Sequence, residues 1–271
     1  MDPKLERVRE IIRAMPSVIV AYSGGADSAF LADVAHEVLG ERMLAITAVS
    51  PSLAPDERRA AGELAVERGW RHREIQTHEL ERDEYARNAP DRCYHCKTEL
   101  FAALGALTGE AAEVLVGTNL DDRSDFRPGQ RAAAERGVRA PLLEAELTKN
   151  EIRALSRERG LTTWDKPASA CLASRIAYGV EVTAERLDRV ARAEAFLREL
   201  GLTQIRVRDH GELARIEVDR EAIELLAAEP ARGRVSAFLR ELGFAYVTLD
   251  LEGFRSGSMN TVLLSIGRRE A

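Results

Sequence analysis

The chain predicts an α/β fold, a doubly wound parallel sheet followed by a second, smaller α+β domain. Three observations carry this expectation. Short apolar runs alternate with helical segments through the first two-thirds of the chain. A glycine-rich hexapeptide, SGGADS, joins the first apolar run to the helix behind it. Beyond residue 180 the alternation gives way to a long helix, a hairpin pattern and further helices.

The elements follow in order. MDPKLERVREIIRAM reads as an amphipathic helix with Leu5, Val8, Ile11 and Ile12 on one face. SVIVAYS (17–23) is a buried strand, and DSAFLADVAHEVLG (27–40) is a helix ending at Gly40. Strand MLAITAVS (43–50), helix DERRAAGELAVERG (56–69) and strand WRHREIQ (70–76) continue the rhythm. Helix CYHCKTELFAALGALTG (93–109) leads into strand EVLVGTN (113–119). Past Arg127 helices take over, at 130–137 and 147–160, where Thr148 and Glu151 have capping-box spacing. Residues 161–179 lack periodicity. Helix 183–201 then precedes TQIRVRDHGELARIEVD (203–219), two alternating runs around an Asp-His-Gly turn that places His210 in local turn chemistry. Two helices and strand FAYVTLDL (244–251) complete the small domain. The expected division is 1–180 and 181–271.

At 271 residues the chain is long enough for two domains. The formal net charge of −6 argues against a nucleic-acid backbone as the main partner, which would call for the opposite balance. The first helix lacks the apolar core of a signal peptide, and no run is long enough to span a bilayer, so cytoplasmic residence without a membrane partner is expected. Three cysteines cannot all pair within one chain, which fits a reducing compartment.

In SGGADS, Gly24 and Gly25 let the backbone approach a ligand, and the helix start behind them offers amide donors to an anion. Ser23 and Ser28 add hydroxyls, and Asp27 can cap the helix or hold Mg²⁺ beside phosphates. The spacing is that of neither the Walker loop nor G-x-G-x-x-G. The plain alternative is a turn that only joins strand to helix.

Cys93-x-x-Cys96, at a helix start, admits several chemistries. With Cys171 and His95 it reaches the four ligands of a structural zinc site. As a pair it suits a redox disulfide. With Cys171 alone it supplies three thiolates for an iron–sulfur cluster with one open iron. Three small buried side chains are the bland reading. Spacing does not choose among them. Arg206 and Arg208 alternate on one strand, face one side, and suit a phosphate, or else pair with acids such as Glu217.

Two resemblances sharpen these readings. SGGADS resembles the SGGxDS pyrophosphate loop of the N-type ATP pyrophosphatases, which include GMP synthetase, asparagine synthetase and several tRNA-thiolating enzymes. It implies ATP cleavage to AMP and pyrophosphate with transfer of AMP to a substrate oxygen. By that analogy Ser50 lies near the adenine, and Gly117 and Asp121, in GTNLDDRSDFRPG (117–129), line the adenylate and metal site.

WDKPASACLASRIAYG (164–179), with SGGADSAFLA, CYHCKTELF, GTNLDDRSDFRPG, RVRDHGELARIEV and EGFRSGSMN in the same order, resembles the LarE family over nearly the whole chain. These are ATP-dependent sulfur transferases of nickel-pincer nucleotide biosynthesis. The resemblance implies pyridinium-3,5-biscarboxylic acid mononucleotide as the small-molecule substrate, ATP and Mg²⁺ as cofactors, and a hexamer. It also implies that Cys93, Cys96 and Cys171 hold a [4Fe–4S] cluster whose open iron carries the sulfide, since single-cysteine members instead sacrifice the sulfur of the residue matching Cys171. Within that chemistry Lys97 either neutralises developing charge or is a solvated helix lysine, and Ser174, Arg175, Arg206 and Arg208 are candidates to bind the substrate phosphate. EGFRSGSMN is placed either over the site or at a subunit contact. The competing readings are a cluster-dependent tRNA thiolase of the same superfamily, an amide-forming synthetase, and a plain nucleotide-binding module.

Overall fold

The computed structural model describes residues 2–108, 112–124, 128–167, 170–255 and 257–260. Parts of three of the motifs above, residues 125–127, 168–169 and 256, lie outside that set. The chain divides into two compact units, one of residues 1–79 with 93–169, the other of 80–92 with 170–271. Among the described residues no helix is long and apolar enough to cross a membrane.

The first unit contains α1 (Pro3–Arg13), β1 (Ser17–Ala21), α2 (Ala26–Leu39), β2 (Met43–Val49), α3 (Pro55–Glu67) and β3 (His72–Gln76). After a short helix of the second unit, α4 (Asp83–Ala86), it resumes with α5 (Arg92–Gly105), whose first residue groups with the second unit. β4 (Ala112–Leu115), α6 (Pro128–Glu135), α7 (Pro141–Glu144) and α8 (Lys149–Glu158) follow. The four strands are parallel, in the order β3-β2-β1-β4. Successive strand residues point to opposite faces, and both faces are covered. Val18, Val20, Met43 and Ala45 pack with α1, α2, α3 and α8, whereas Ile19 and Ile46 pack with Leu100, Phe101 and Leu104 of α5 and Ala132 of α6. That is the doubly wound arrangement expected.

Strand order reverses between β1 and β4. The chain steps outward from β1 through β2 to β3, then returns to the other side of β1. In open α/β sheets the crevice at the carboxyl ends of two such strands is where ligands bind. Here β1 runs into SGGADS and β4 into Gly117.

The second unit is built on α9 (Ala184–Glu199), β5 (Ile205–Asp209), β6 (Leu213–Val218), α10 (Arg220–Ala227), α11 (Ala231–Glu241) and β7 (Tyr246–Leu249). β5 and β6 form the expected hairpin, with Asp209 opposite Ala214 and the His210 amide bonded to the Leu213 carbonyl at 2.9 Å. Gly211 turns the chain at φ +84°. β7 joins β6 in parallel, so the sheet is mixed. Ile205, Val207, Ala214, Ile216 and Val218 face α9, α10 and α11 and form this unit's core.

The division differs from the cut expected near residue 180. Leu80–Arg92 and the stretch from Ala170 group with the second unit. Asn88, fully buried, donates from its amide nitrogen to the carbonyls of Ile176, Ala177 and Val180, and the Val182 amide donates to the Ala86 carbonyl. These long-range bonds leave no periodic trace in the sequence.

Candidate functional site

The loop after β1 is shaped by close contacts. Gly24 has φ +73°, and a Cβ there would sit 3.0 Å from the Ala61 Cβ of α3. A Cβ on Gly117 would lie 2.8 Å from the Ser28 amide nitrogen, so the segment leaving β4 runs directly against the first turn of α2. Gly25 caps α2 without a side-chain bond to its first amides. Ser28 instead folds its hydroxyl back, accepting from the Ser23 amide at 3.2 Å, donating to the Gly25 carbonyl at 3.1 Å, and lying 3.1 Å from the Ser23 hydroxyl. A helix start with amides left for a ligand, at a switch point, is suited to an anion.

Two ammonium groups from distant sequence close on this loop. Lys149, the first residue of α8, places Nζ 2.6 Å from Asp27 Oδ2. Lys166 donates to the Gly24 carbonyl at 2.9 Å and pairs with Glu57 of α3 at 2.6 Å. Lys149, Lys166 and Glu57 were not legible as site residues, because nothing in the local pattern of a helix start or an irregular segment marks its contact. Asp121 accepts the Lys149 backbone N–H at 2.6 Å, and its own N–H donates to Asn119 Oδ1 at 3.0 Å. Ser50, after β2, spends its hydroxyl on the buried carboxylate of Glu79. An open groove of about 820 Å³ runs along α3 and β3, lined by Val49, Leu53, Gly62 and Val66, and of the predicted residues it includes only Ser50.

For Mg²⁺, the residues offer a fit. Asp27 Oδ1 is shut off from solvent and has no hydrogen-bond partner among the described residues. Mg²⁺ is ordinarily held by one or two carboxylates together with substrate phosphates, so one orphaned carboxylate oxygen beside a glycine-rich helix start is suitable chemistry.

Cys93 and Cys96 lie in the first turns of α5, at a spacing that puts them on one side of the helix. Cys93 is exposed and Cys96 half-buried. Lys97 is also half-buried, with its stem against α6, since a Cβ on Gly129 would meet Lys97 Cγ at 2.8 Å. Cys171, in the second unit, is exposed, and its carbonyl accepts from the Ser174 amide at 2.9 Å. None of the three cysteines is in a disulfide, and three thiol side chains match the donor chemistry of an iron–sulfur cluster. Among the described residues, however, no three His, Cys, Asp or Glu side chains gather as a ready-made metal site.

The second unit concentrates arginines on the sheet face away from its core. Arg175 is buried and forks onto Glu194 at 2.9 and 3.2 Å, while also reaching the carbonyls of Ala170 and Cys171 and the Ser174 hydroxyl. Arg208 is buried and bonds Glu217 at 2.7 Å, the Ser174 carbonyl at 3.2 Å and the Ser258 hydroxyl at 3.1 Å. In register, Arg208 stands opposite Arg215, and Arg206 opposite Glu217. Glu217, fully buried, is therefore taken by Arg208 and Arg215 rather than by its cross-strand neighbour. Arg206 lies over the Phe254 ring at 5.2 Å, and burial, then the charge of Arg175, lowers its guanidinium to about 10. At neutral pH the group is still charged; the depression reflects burial first and the neighbouring Arg175 and Arg208 charges second.

The first unit is thus an α/β domain with a glycine-built loop at its switch point, suited to an anion, and the second carries an arginine-rich face. No family model matches the chain. It is 46% identical over 97% of its length to an uncharacterized protein of Synechocystis sp., of which it covers 99%. It is 39% identical over 93% of its length to the pyridinium-3,5-bisthiocarboxylic acid mononucleotide synthase of Lactiplantibacillus plantarum, covering 92% of that protein. An uncharacterized protein of Methanocaldococcus jannaschii is 29% identical over 88% of the chain. The chain belongs to the LarE family of enzymes, that of the Lactiplantibacillus synthase.

Proposed function

We propose that the protein is an ATP-dependent sulfur transferase that converts carboxylates of pyridinium-3,5-biscarboxylic acid mononucleotide into thiocarboxylates, in nickel-pincer nucleotide biosynthesis. The observation that carries this is the likeness, along almost the whole chain, to a synthase whose name gives the bisthiocarboxylic product. The charged sites described above support the two anions this chemistry needs.

A carboxylate is a poor acyl donor because oxide would have to leave. Transfer of AMP from ATP to a carboxylate oxygen, with release of pyrophosphate, makes that oxygen part of a good leaving group. Ser23, Gly24, Gly25 and Ser28 would receive the phosphates through amides and hydroxyls, and Asp27 would hold Mg²⁺, which neutralises phosphate charge when bound. Asp121 would act less directly, by fixing the start of α8. Ser50 would stand at the adenine side, its orientation set by Glu79. Ser174, Arg175, Arg206 and Arg208 would recognise the substrate phosphate; in that role Arg175 and Arg208, already tied to Glu194 and Glu217, serve as a rigid frame. Arg206 is the guanidinium whose depressed affinity for its proton an anion would relieve.

Sulfur then replaces AMP at the acyl carbon: a C–S bond forms, the C–O bond to AMP breaks, and the electron pair leaves with the phosphate. Cys93, Cys96 and Cys171 would handle the sulfur. A [4Fe–4S] cluster held on their thiolates supplies, when bound, a deprotonated sulfide for repeated use. Lys97, close to the pair on α5, would offset negative charge there. The protein is proposed to work in the cytoplasm, as a homo-oligomer, and without nucleic acid or membrane partners.

The test is to incubate the protein with ATP, Mg²⁺, the dicarboxylate nucleotide and added sulfide under anaerobic conditions. One AMP and one pyrophosphate should appear per thiocarboxylate formed. ATP consumption without sulfur incorporation, or thiolation of tRNA instead, would overturn the reading.

A further inference from the structure

Resting on the reading of SGGADS as an ATP site, we propose that Lys149 is a built-in counter-ion of that site. Its ammonium holds Asp27 until the nucleotide-bound Mg²⁺ takes its place, and then moves to a phosphate oxygen.

The placement is unfavourable for a purely structural lysine. Lys149 is the first residue of α8, and a cation at a helix N-terminus gains nothing from its own helix dipole. Its ammonium also lies at the first turn of α2, beside Asp27. At the α8 start the backbone amides are already met by Asp121 and Glu151, whereas at the α2 start the Lys149 ammonium and the first-turn amides share Asp27 as their carboxylate. A polyphosphate would provide further negative charge there.

Asp27 shows the other half of the mismatch. Its Oδ2 accepts from Lys149 at 2.6 Å, while Oδ1 is enclosed and without a partner among the described residues. An enclosed, unsatisfied carboxylate oxygen is costly, and one ammonium has engaged only one of the two oxygens. A divalent cation, with more ligand positions, is the better match for a hard oxygen donor.

The backbone of Lys149 is fixed while its side chain is not. The residue's N–H is bonded to Asp121 Oδ2, and the Thr148–Glu151 capping box sets the helix start. The four-carbon stem, by contrast, is flexible, and the side chain is partly exposed, at 29%. A short swing from carboxylate to phosphate needs no backbone movement. In charge, Asp27 exchanges a monovalent for a divalent partner, and the phosphates receive the released ammonium.

The experiment uses the full chain, wild type and Lys149→Met, with Mn²⁺ alone as the first probe, followed by electron paramagnetic resonance. Without its competitor, Mn²⁺ should bind the variant tighter by on the order of 10-fold, while MgATP, measured by calorimetry, should bind it weaker by roughly 10- to 100-fold, the range for losing one charged hydrogen bond. A structural tie between α2 and α8 would not move the two affinities in opposite directions. Unchanged or equally weakened affinities for both would overturn the proposal. Should the variant not fold, amine labelling of the wild type read by mass spectrometry decides: Mg²⁺ alone should raise labelling of Lys149 and MgATP should lower it, and no change in either would refute the exchange. Wild-type protein that binds Mn²⁺ but no ATP would instead sink the ATP reading itself.

Discussion

The absent side chain of Gly117 and the amide of Ser28 define the tightest point of the candidate nucleotide site, since a Cβ at 117 would stand 2.8 Å from that nitrogen. The neighbouring atoms at 2.9 and 3.0 Å are also backbone, of Asp27 and Ser28, so nothing flexible can yield. Gly117→Ala should therefore push the start of α2 aside. We expect loss of ATP affinity by at least about 10-fold, with a stability loss of roughly 1–3 kcal/mol from overpacking. Calorimetric ATP titration beside thermal unfolding checks both; a variant that binds ATP like the wild type would contradict the tight approach.

In the second unit, Glu194 joins α9 to the arginine-rich face. It is 1% exposed, forks with Arg175, also meets Arg198, and accepts the Val207 amide at 3.1 Å. Glu194→Ala leaves a buried guanidinium uncompensated and should destabilise the unit by about 3–5 kcal/mol. Denaturant unfolding measures it, and a loss below about 1 kcal/mol would show that the pair is dispensable.

Acid should loosen the start of α8. Lys4, then the Thr148 amide and hydroxyl, hold the Glu151 carboxyl down at about 2, against its ordinary 4.5. Because the folded state lowers this pKa, its contribution is complete above about pH 4.5 and disappears as pH falls through about 2. Glu151→Gln should be less stable than wild type at neutral pH, and the gap should narrow across that window. Thr148→Ala, which removes the same cap from the other side, should cost about 1 kcal/mol at neutral pH. Stability curves that run parallel from neutral to acid pH would contradict this account of Glu151.

Each of Cys93→Ala, Cys96→Ala and Cys171→Ala is expected to abolish repeated sulfur transfer while leaving MgATP affinity within about threefold of wild type. Variants of two exposed thiols and one half-buried one should fold, because they remove little buried surface. Persistent multiple turnover in any of the three would remove that residue from the sulfur-handling set.

Much of the fold was legible because it is written in local pattern. Apolar runs such as SVIVA, the glycine pair at 24–25 and the Asp-His-Gly turn each announce themselves within a few residues. Alternation alone puts Arg206 and Arg208 on one side of a strand, with Glu217 as an acid within reach. What alternation could not give was register: Glu217 stands opposite Arg206 yet bonds Arg208 and Arg215. Lys149, Lys166 and Glu57 escaped for a related reason. Their contacts join segments far apart in the chain, and a lysine or glutamate on a charged helix looks the same in sequence whether it faces solvent or a loop. The grouping of Leu80–Arg92 with the second unit depends on one buried amide, Asn88, and on backbone carbonyls that carry no sequence signal.

The most direct measurement counts thiocarboxylates formed per protein chain under anaerobic conditions with added sulfide, together with iron content and the intact mass of the protein. The proposed route predicts more product than protein, about four irons per chain and an unchanged mass. A single sulfur delivered per chain, with Cys171 converted to dehydroalanine, would contradict it.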